Sequence, residues 1–213
     1  MIKKVLPKTA LISVSNKSGI LTFARLLQKN GVKIFATGGT ASALRGAGIK
    51  VSKVSSLSRF PEIFGGRVKT LSPYISGGIL GQRDKDKAEA KENNITWIDL
   101  VVCNLYPFSD VAKNTNSTMD EKIENIDIGG PTMIRAAAKN FKWVSVVVSP
   151  KDYRSVGTAI SGGGLTEKKR FSTSSFKQKN YTIHPELLDK SGNITEEELL
   201  TVRFSNDNDS TLE

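Results

Sequence analysis

Apolar residues recur along this chain in two alternating rhythms. Thr9 to Ser15, TALISVS, is almost continuous in apolar and small side chains and predicts a buried strand. From Gly19 to Gln28 the apolar positions return every three or four residues, the spacing of an amphipathic helix. Lys33 to Thr37, KIFAT, predicts a second strand, followed by a TGGT turn and a small-residue helix over Ala41 to Arg45. VSKVS from Val51 predicts a third strand, and residues 56–98 carry no regular rhythm. Asp99 to Tyr106, DLVVCNLY, and Val144 to Val148 are apolar runs suited to a sheet covered on both faces. Between them NIDIGGPTMIRAAAKN, Asn125 to Asn140, predicts a helix that opens at Pro131, because the first helical position makes no use of an N–H. Strands alternating with helices predict an α/β domain with a mainly parallel sheet.

Ligands of such sheets bind beyond the carboxyl ends of the strands. That rule selects Ser13–Lys17, Thr37–Thr40, Asn104–Tyr106 and, by its place in the chain, the Asp127 turn. Ser13, Ser15 and Lys17 put two hydroxyls and a cation at a strand-to-helix turn, and Thr37-Gly38-Gly39-Thr40 repeats the arrangement without the charge. Both suit a phosphate cradle, the glycines permitting close backbone approach. N-capping by Ser15 and Thr40 accounts for the same residues, and neither turn is a GxxxxGK[ST] or GxGxxG loop. The Asp127 turn gathers a carboxylate, first-turn N–H groups, and Arg135 and Lys139 on one helical face, a pattern a purely structural helix also carries. In Phe64–Pro73 and Ser76–Leu80, paired glycines predict a loop pressed against a ligand or another backbone. Arg67 and Lys69 alternate, so an extended stretch would point both to one side; two solvated charges on a surface loop are the simpler alternative.

Composition narrows the chemistry. The 213 residues suffice for one domain with a tail, and 38% hydrophobic with 24% charged residues is ordinary for a globular protein. No apolar run reaches the roughly 20 residues of a membrane helix, and the opening MIKKVLPKTA lacks a signal-peptide core, so a cytoplasmic protein with no membrane partner is expected. The single cysteine, Cys103, excludes an internal disulfide, and with His184 the only histidine neither a His-based metal cluster nor a Ser-His-Asp triad is expected. The net charge of +10 divides into −5 over residues 193–213 and +15 over the rest. The lysines are scattered singly without interleaved aromatics, so the excess suits phosphorylated small molecules and a solvated surface, not nucleic acid.

GGRVKTLSP, SGGIL, DLVVCNLYPF and IDIGGPTMIRAAAKN, in this order, resemble the N-terminal IMP cyclohydrolase domain of the bifunctional purine biosynthesis protein family, which joins AICAR transformylase to IMP cyclohydrolase. ALISVSNKSGI and ATGGTASALRGAGI fit its opening, so the resemblance runs from about Lys8 to Tyr153. It implies a three-layer Rossmann-like α/β domain, methylglyoxal synthase-like, with a mainly parallel sheet. It also implies closure of the formylated AICAR ribotide to IMP with loss of water, using neither cofactor nor metal, in a homodimer. Carried over residue by residue, Ser13, Ser15, Lys17, Thr37, Gly38, Gly39 and Thr40 match phosphate-holding positions. Arg67, Lys69 and Thr70 match the VKT loop, and Asn104, Tyr106, Asp127, Ile128, Gly129 and Lys139 match positions lining the base. Lys69, Asp127, Tyr106 and Lys139 are the catalytic candidates, Lys69 stabilising negative charge and the others moving protons.

Three departures qualify this expectation. Ser72 and Ser76 stand where the family usually has histidines, and serine cannot take up a full proton near neutral pH. Residues 161–192, with RFSTSSFKQKNYTIHP, make a weaker helix than the alanine-rich family segment. Residues 193–213 resemble, loosely, the linker to a transformylase domain missing from this chain, and without partner strands they are expected to be poorly ordered. The expected division is therefore 1–160, 161–192 and 193–213. Two other readings stay open: a catalytically weak ribotide-binding or dimerising remnant, and an enzyme like methylglyoxal synthase. The second expects GGDQQIGA where this chain has GGRVKTLSP.

Overall fold

The computed structural model describes residues 5–106 and 108–166. The expected acidic tail and nearly all of the expected segment 161–192 lie outside these residues. In chain order the elements are β1 (Thr9–Val14), α1 (Ile20–Lys29), β2 (Lys33–Ala36), α2 (Gly38–Gly46), β3 (Ser52–Lys53), α3 (Ser55–Ser58), α4 (Pro73–Leu80) and α5 (Lys87–Glu92). There follow β4 (Leu100–Asn104), α6 (Phe108–Lys113), α7 (Met119–Glu124), α8 (Gly129–Lys139), β5 (Ser145–Val147) and α9 (Tyr153–Ser161). The five strands form one parallel sheet in the order β3-β2-β1-β4-β5.

Alternation along the central strands explains the layers. Ala10, Ile12 and Val14 of β1, with Leu100 and Val102 of β4, join the core cluster beneath α1, α2 and α9. Leu11, Val101 and Cys103 point to the opposite cluster, which α4 and α8 cover. Burial of Ile20, Phe23, Ala24 and Leu27 in α1 follows the i, i+3, i+4, i+7 rhythm read from the sequence. The Phe23 and Tyr153 rings stack with centroids 4.8 Å apart, fixing α1 against α9.

The strands fall where the apolar runs place them, but the helices require corrections. α2 begins at Gly38, three residues before the expected Ala41, with Thr37 before it in extended conformation. α8 begins at Gly129, so Pro131 is its third residue, still within the turn whose N–H groups have no intrahelical partner. The irregular middle contains α4, entered through Ser72, whose hydroxyl accepts from the Tyr74 N–H (3.3 Å), with Pro73 at the first position. Gly77 and Gly78 lie inside that helix rather than in a ligand-facing loop. A methyl group on Gly78 would collide with the Thr96 carbonyl oxygen, so the missing side chain lets α4 press onto the segment entering β4.

Asn140, buried after the end of α8, ties the same layer together by donating to the carbonyls of Ile79 (2.7 Å) and Gly81 (3.0 Å). Asn140→Ala leaves both acceptors short of a donor and is expected to cost about 1–3 kcal/mol. A urea-unfolding midpoint equal to that of the parent chain would contradict this assignment.

Candidate active site

In the order β3-β2-β1-β4-β5, the chain leaves β1 toward β2 on one side while β4 pairs on the other, so the crevice opens between the carboxyl ends of β1 and β4. The Asn104 side chain braces this point. Its Oδ1 accepts from the N–H groups of Ser15 (2.7 Å) and Asn16 (2.9 Å), and its Nδ2 donates to the Asn16 carbonyl (2.9 Å). Asn104 therefore shapes the β1–α1 turn more than it offers free groups to a ligand.

The β2–α2 turn is locked to the same strand end. Thr37 donates its hydroxyl to Ser13 Oγ (3.0 Å). Thr40 Oγ1 lies 3.1 Å from both the N–H and the carbonyl of Val14, accepting from one and donating to the other. Neither Ser15 nor Thr40 caps a helix through its side chain, so that structural alternative does not hold. Among the described residues the Ser15 hydroxyl has no partner, and the exposed Lys17 ammonium reaches only the Ser15 carbonyl, at 3.4 Å.

Opposite these turns, Asp127 Oδ1 accepts from the Gly130 N–H (2.8 Å), so this carboxylate itself takes one of the first-turn donors of α8. Burial, with a smaller contribution from the Asp127 charge, pushes the Cys103 thiol up to about 12, leaving it neutral and unreactive behind the cleft. Burial likewise pushes the Tyr153 hydroxyl up to about 12, against a lowering by its hydrogen bond with Asn104. Thr70 is buried against α8, where a methyl group on Gly129 would collide with its Oγ1. Gly129→Ala is accordingly expected to lower stability by about 1–3 kcal/mol. Thermal unfolding checks this, and an unchanged midpoint would mean that Thr70 yields.

These segments enclose a cleft of about 430 Å³. Ser13, Ser15, Lys17, Thr37, Gly39, Thr40 and Asn104 from the strand ends line it, together with Arg67, Lys69, Thr70, Asp127 and Gly129. Tyr106 and Ile128, 47% and 60% exposed, give the mouth an apolar rim. Arg67 adopts a helical conformation, so the extended alternation with Lys69 does not occur, although both side chains line the cleft.

Two expected residues are not brought in. Gly38 is not in the lining; a methyl group there would lie 3.4 Å from Glu62 Oε2. Lys139 is exposed at the far end of α8, about 15 Å along the helix axis from Gly129, and does not line the cleft. Ser72 and Ser76 are likewise absent from the lining; Ser72 caps α4 and donates to the Ser58 carbonyl (3.3 Å).

Sequence reasoning missed Glu124, which lines the cleft and pairs with Arg67 (Nε to Oε2, 3.4 Å), and the added rim residues Ile123 and Ile126. A capping box, Thr118 with Glu121, starts the helix that carries Glu124 and was readable as T-x-x-E. A second cleft of about 430 Å³, between α4 and α5, contains none of the expected residues. Among the described residues no group of three or more His, Cys, Asp or Glu is placed to hold a metal ion, and no helix is long and apolar enough to cross a membrane.

The cleft thus gathers hydroxyls, backbone N–H groups, the cations of Lys17, Arg67 and Lys69, and the carboxylates of Glu124 and Asp127. A ligand carrying an anionic group and a flat polar group would complement it.

Comparison with known proteins gives three findings. A family model described as MGS-like domain matches residues 19–132, and one described as a protein of unknown function (DUF2973) matches residues 151–203. The bifunctional purine biosynthesis protein PurH of Staphylococcus aureus strain Newman is 51% identical over 167 residues, covering 78% of this chain and 34% of that protein; the USA300 protein gives the same figures. The chain therefore spans about a third of the length of the curated relatives it matches. A solved structure described as "Crystal structure of ForH" superposes with a TM-score of 0.65 at 38% identity, covering 76% of this chain and 86% of that one.

Proposed function

The chain belongs to the MGS-like domain family and is homologous to a region of a purine biosynthesis enzyme, and from that premise we propose that it is an IMP cyclohydrolase. In this reading it closes the formylated AICAR ribotide to IMP. The observation that carries the proposal is one cleft in which Lys69 and Asp127 share space with the hydroxyl-lined ends of β1 and β2.

In the proposed reaction the carboxamide nitrogen attacks the formyl carbon, forming the last ring bond. That nitrogen gives up one proton while the formyl oxygen becomes a hydroxyl. The hydroxyl then leaves as water, taking the second proton from the ring nitrogen that began as the formamide N–H. Ser13, Ser15, Lys17, Thr37, Gly39 and Thr40 hold the ribotide phosphate, and the rim at Tyr106 and Ile128 receives the base. Lys69 stabilises the negative charge that develops on the formyl oxygen, and Asp127 with Tyr106 handles the protons. Because both reacting groups are carried on one ring, positioning and charge stabilisation supply most of what is needed. Lys139, outside the cleft of the single chain, is given no step. The same reading takes the working unit to be a cytoplasmic homodimer.

The remnant reading draws its motive from Ser72 and Ser76. Neither serine lines the cleft, which supports the enzyme reading over the remnant. Titration with IMP, followed by amide chemical shifts, tests where the ribotide binds. Shifts at Ser15, Lys17, Gly39 and Gly129 are expected, and shifts confined to the α4–α5 cleft would overturn the assignment.

A further inference from the structure

Lys17, Arg67 and Lys69 are the cations lining the cleft, and only Arg67 has an ion pair among the described residues. Its partner, Glu124, is the last residue of α7, a helix capped at its other end by Thr118 and Glu121. The pair joins α7 to the turn formed by Phe64, Gly65 and Gly66, all three at positive φ, across the mouth of the cleft. Both side chains are more than half exposed, 63% and 60%. A pair of this kind is weak, because water solvates each charge nearly as well as the partner does.

We propose that Glu124 is the resident counter-anion of Arg67, a positioning residue that holds the guanidinium at the mouth and gives it up to the anionic ligand. The inference rests on the ribotide reading for the identity of that ligand, but its physics requires only an anion. While the cleft is empty, Glu124 neutralises one of three cations and restrains the 64–70 loop. When a phosphate-bearing ligand enters, Arg67 exchanges a carboxylate for it, and Glu124 returns to water at little cost because it is already exposed. Glu124 thereby sets affinity: an incoming anion must compete with it. Weakly charged anions lose that competition, while phosphates, with more charge and more acceptor oxygens, win it.

The test is a double-mutant cycle on the full chain with Glu124→Gln, Arg67→Gln and the pair combined, titrated calorimetrically with IMP and separately with inorganic phosphate. Glu124→Gln is expected to tighten both anions about two- to fivefold, the range that an exposed pair spans. The gain should shrink as salt is raised. It should also vanish in the Arg67→Gln background, which a purely structural role for Glu124 would not produce. Unchanged or weaker binding in Glu124→Gln, or the same gain without Arg67, would overturn the proposal. If phosphate binds and responds as described while IMP does not bind, the latch stands and the ribotide reading fails. No binding of either anion by any variant would overturn both.

Discussion

Replacing Lys69 with alanine is expected to leave the protein folded and to lower kcat on the formylated AICAR ribotide by at least about a hundredfold, the usual loss when a donor to a developing oxyanion is removed. The side chain is half-buried, lines the cleft, and has no ion pair among the described residues, so its charge is not already committed. Where the loss falls is as informative as its size. A charge that acts on the oxyanion stabilises the transition state more than the bound substrate, so kcat falls with kcat/KM. A lysine that only holds the ligand would raise KM and spare kcat. Lys69→Arg is not expected to restore full activity, because a planar guanidinium fork presents its donors differently from an ammonium. Full turnover by Lys69→Ala, with an unchanged thermal midpoint, would remove Lys69 from the chemistry.

The second large effect is on stability. Arg83→Ala is expected to destabilise the domain by about 3–5 kcal/mol, the range for breaking a buried ion pair from one side. Arg83 and Asp99 have side chains only 13% and 18% exposed, with Nη2 and Oδ1 3.6 Å apart. The guanidinium donates to the carbonyls of Gly81, Gly78 (3.2 Å) and Ile98 (2.7 Å) and stacks over Trp97 at 4.5 Å. The other oxygen of Asp99 accepts from the N–H groups of Lys8 (2.9 Å) and Thr9 (3.0 Å), fixing the start of β1. One side chain therefore joins the end of α4, the entry to β4 and, through Asp99, the entry to β1. Burial pulls the Arg83 pKa below its ordinary value while Asp99 opposes that shift. Truncation would leave Asp99 without its ionic partner and remove one donor from each of three carbonyls, of which Gly78 keeps the Ile98 N–H and Gly81 the Asn140 amide. Denaturant unfolding measures the loss, and a change below about 1 kcal/mol would mean that water replaces the guanidinium at small cost. Arg67–Glu124 is the same chemistry in water, which is why one pair is a brace and the other can exchange.

How much of this was legible in the sequence depended on how local the determining contacts are. The strands declared themselves because a parallel sheet covered on both faces needs unbroken apolar runs, as in TALISVS and DLVVCNLY. α1 was equally plain, its buried residues falling on one stripe. α4 was not, because Gly77 and Gly78 argue against a helix by propensity; the reason for Gly78 is the Thr96 backbone, eighteen residues beyond it, and Gly77 packs on the Ile95 side chain. Strand-end reasoning and the family resemblance selected residues that the fold does gather, from Ser13 to Gly129. They also selected two residues outside the cleft lining: Gly38, beside Glu62, and Lys139, where a shared helical face said nothing about distance from the helix start. Glu124 had no local signal, since its partner is Arg67, far away in the chain.

The most direct test of the central claim is to supply purified protein with the formylated AICAR ribotide and follow IMP formation by absorbance. Saturable turnover, well above the spontaneous rate and lost in Lys69→Ala, is the predicted result. Saturable IMP binding with no turnover would contradict it and leave a ribotide-binding domain in place of an enzyme.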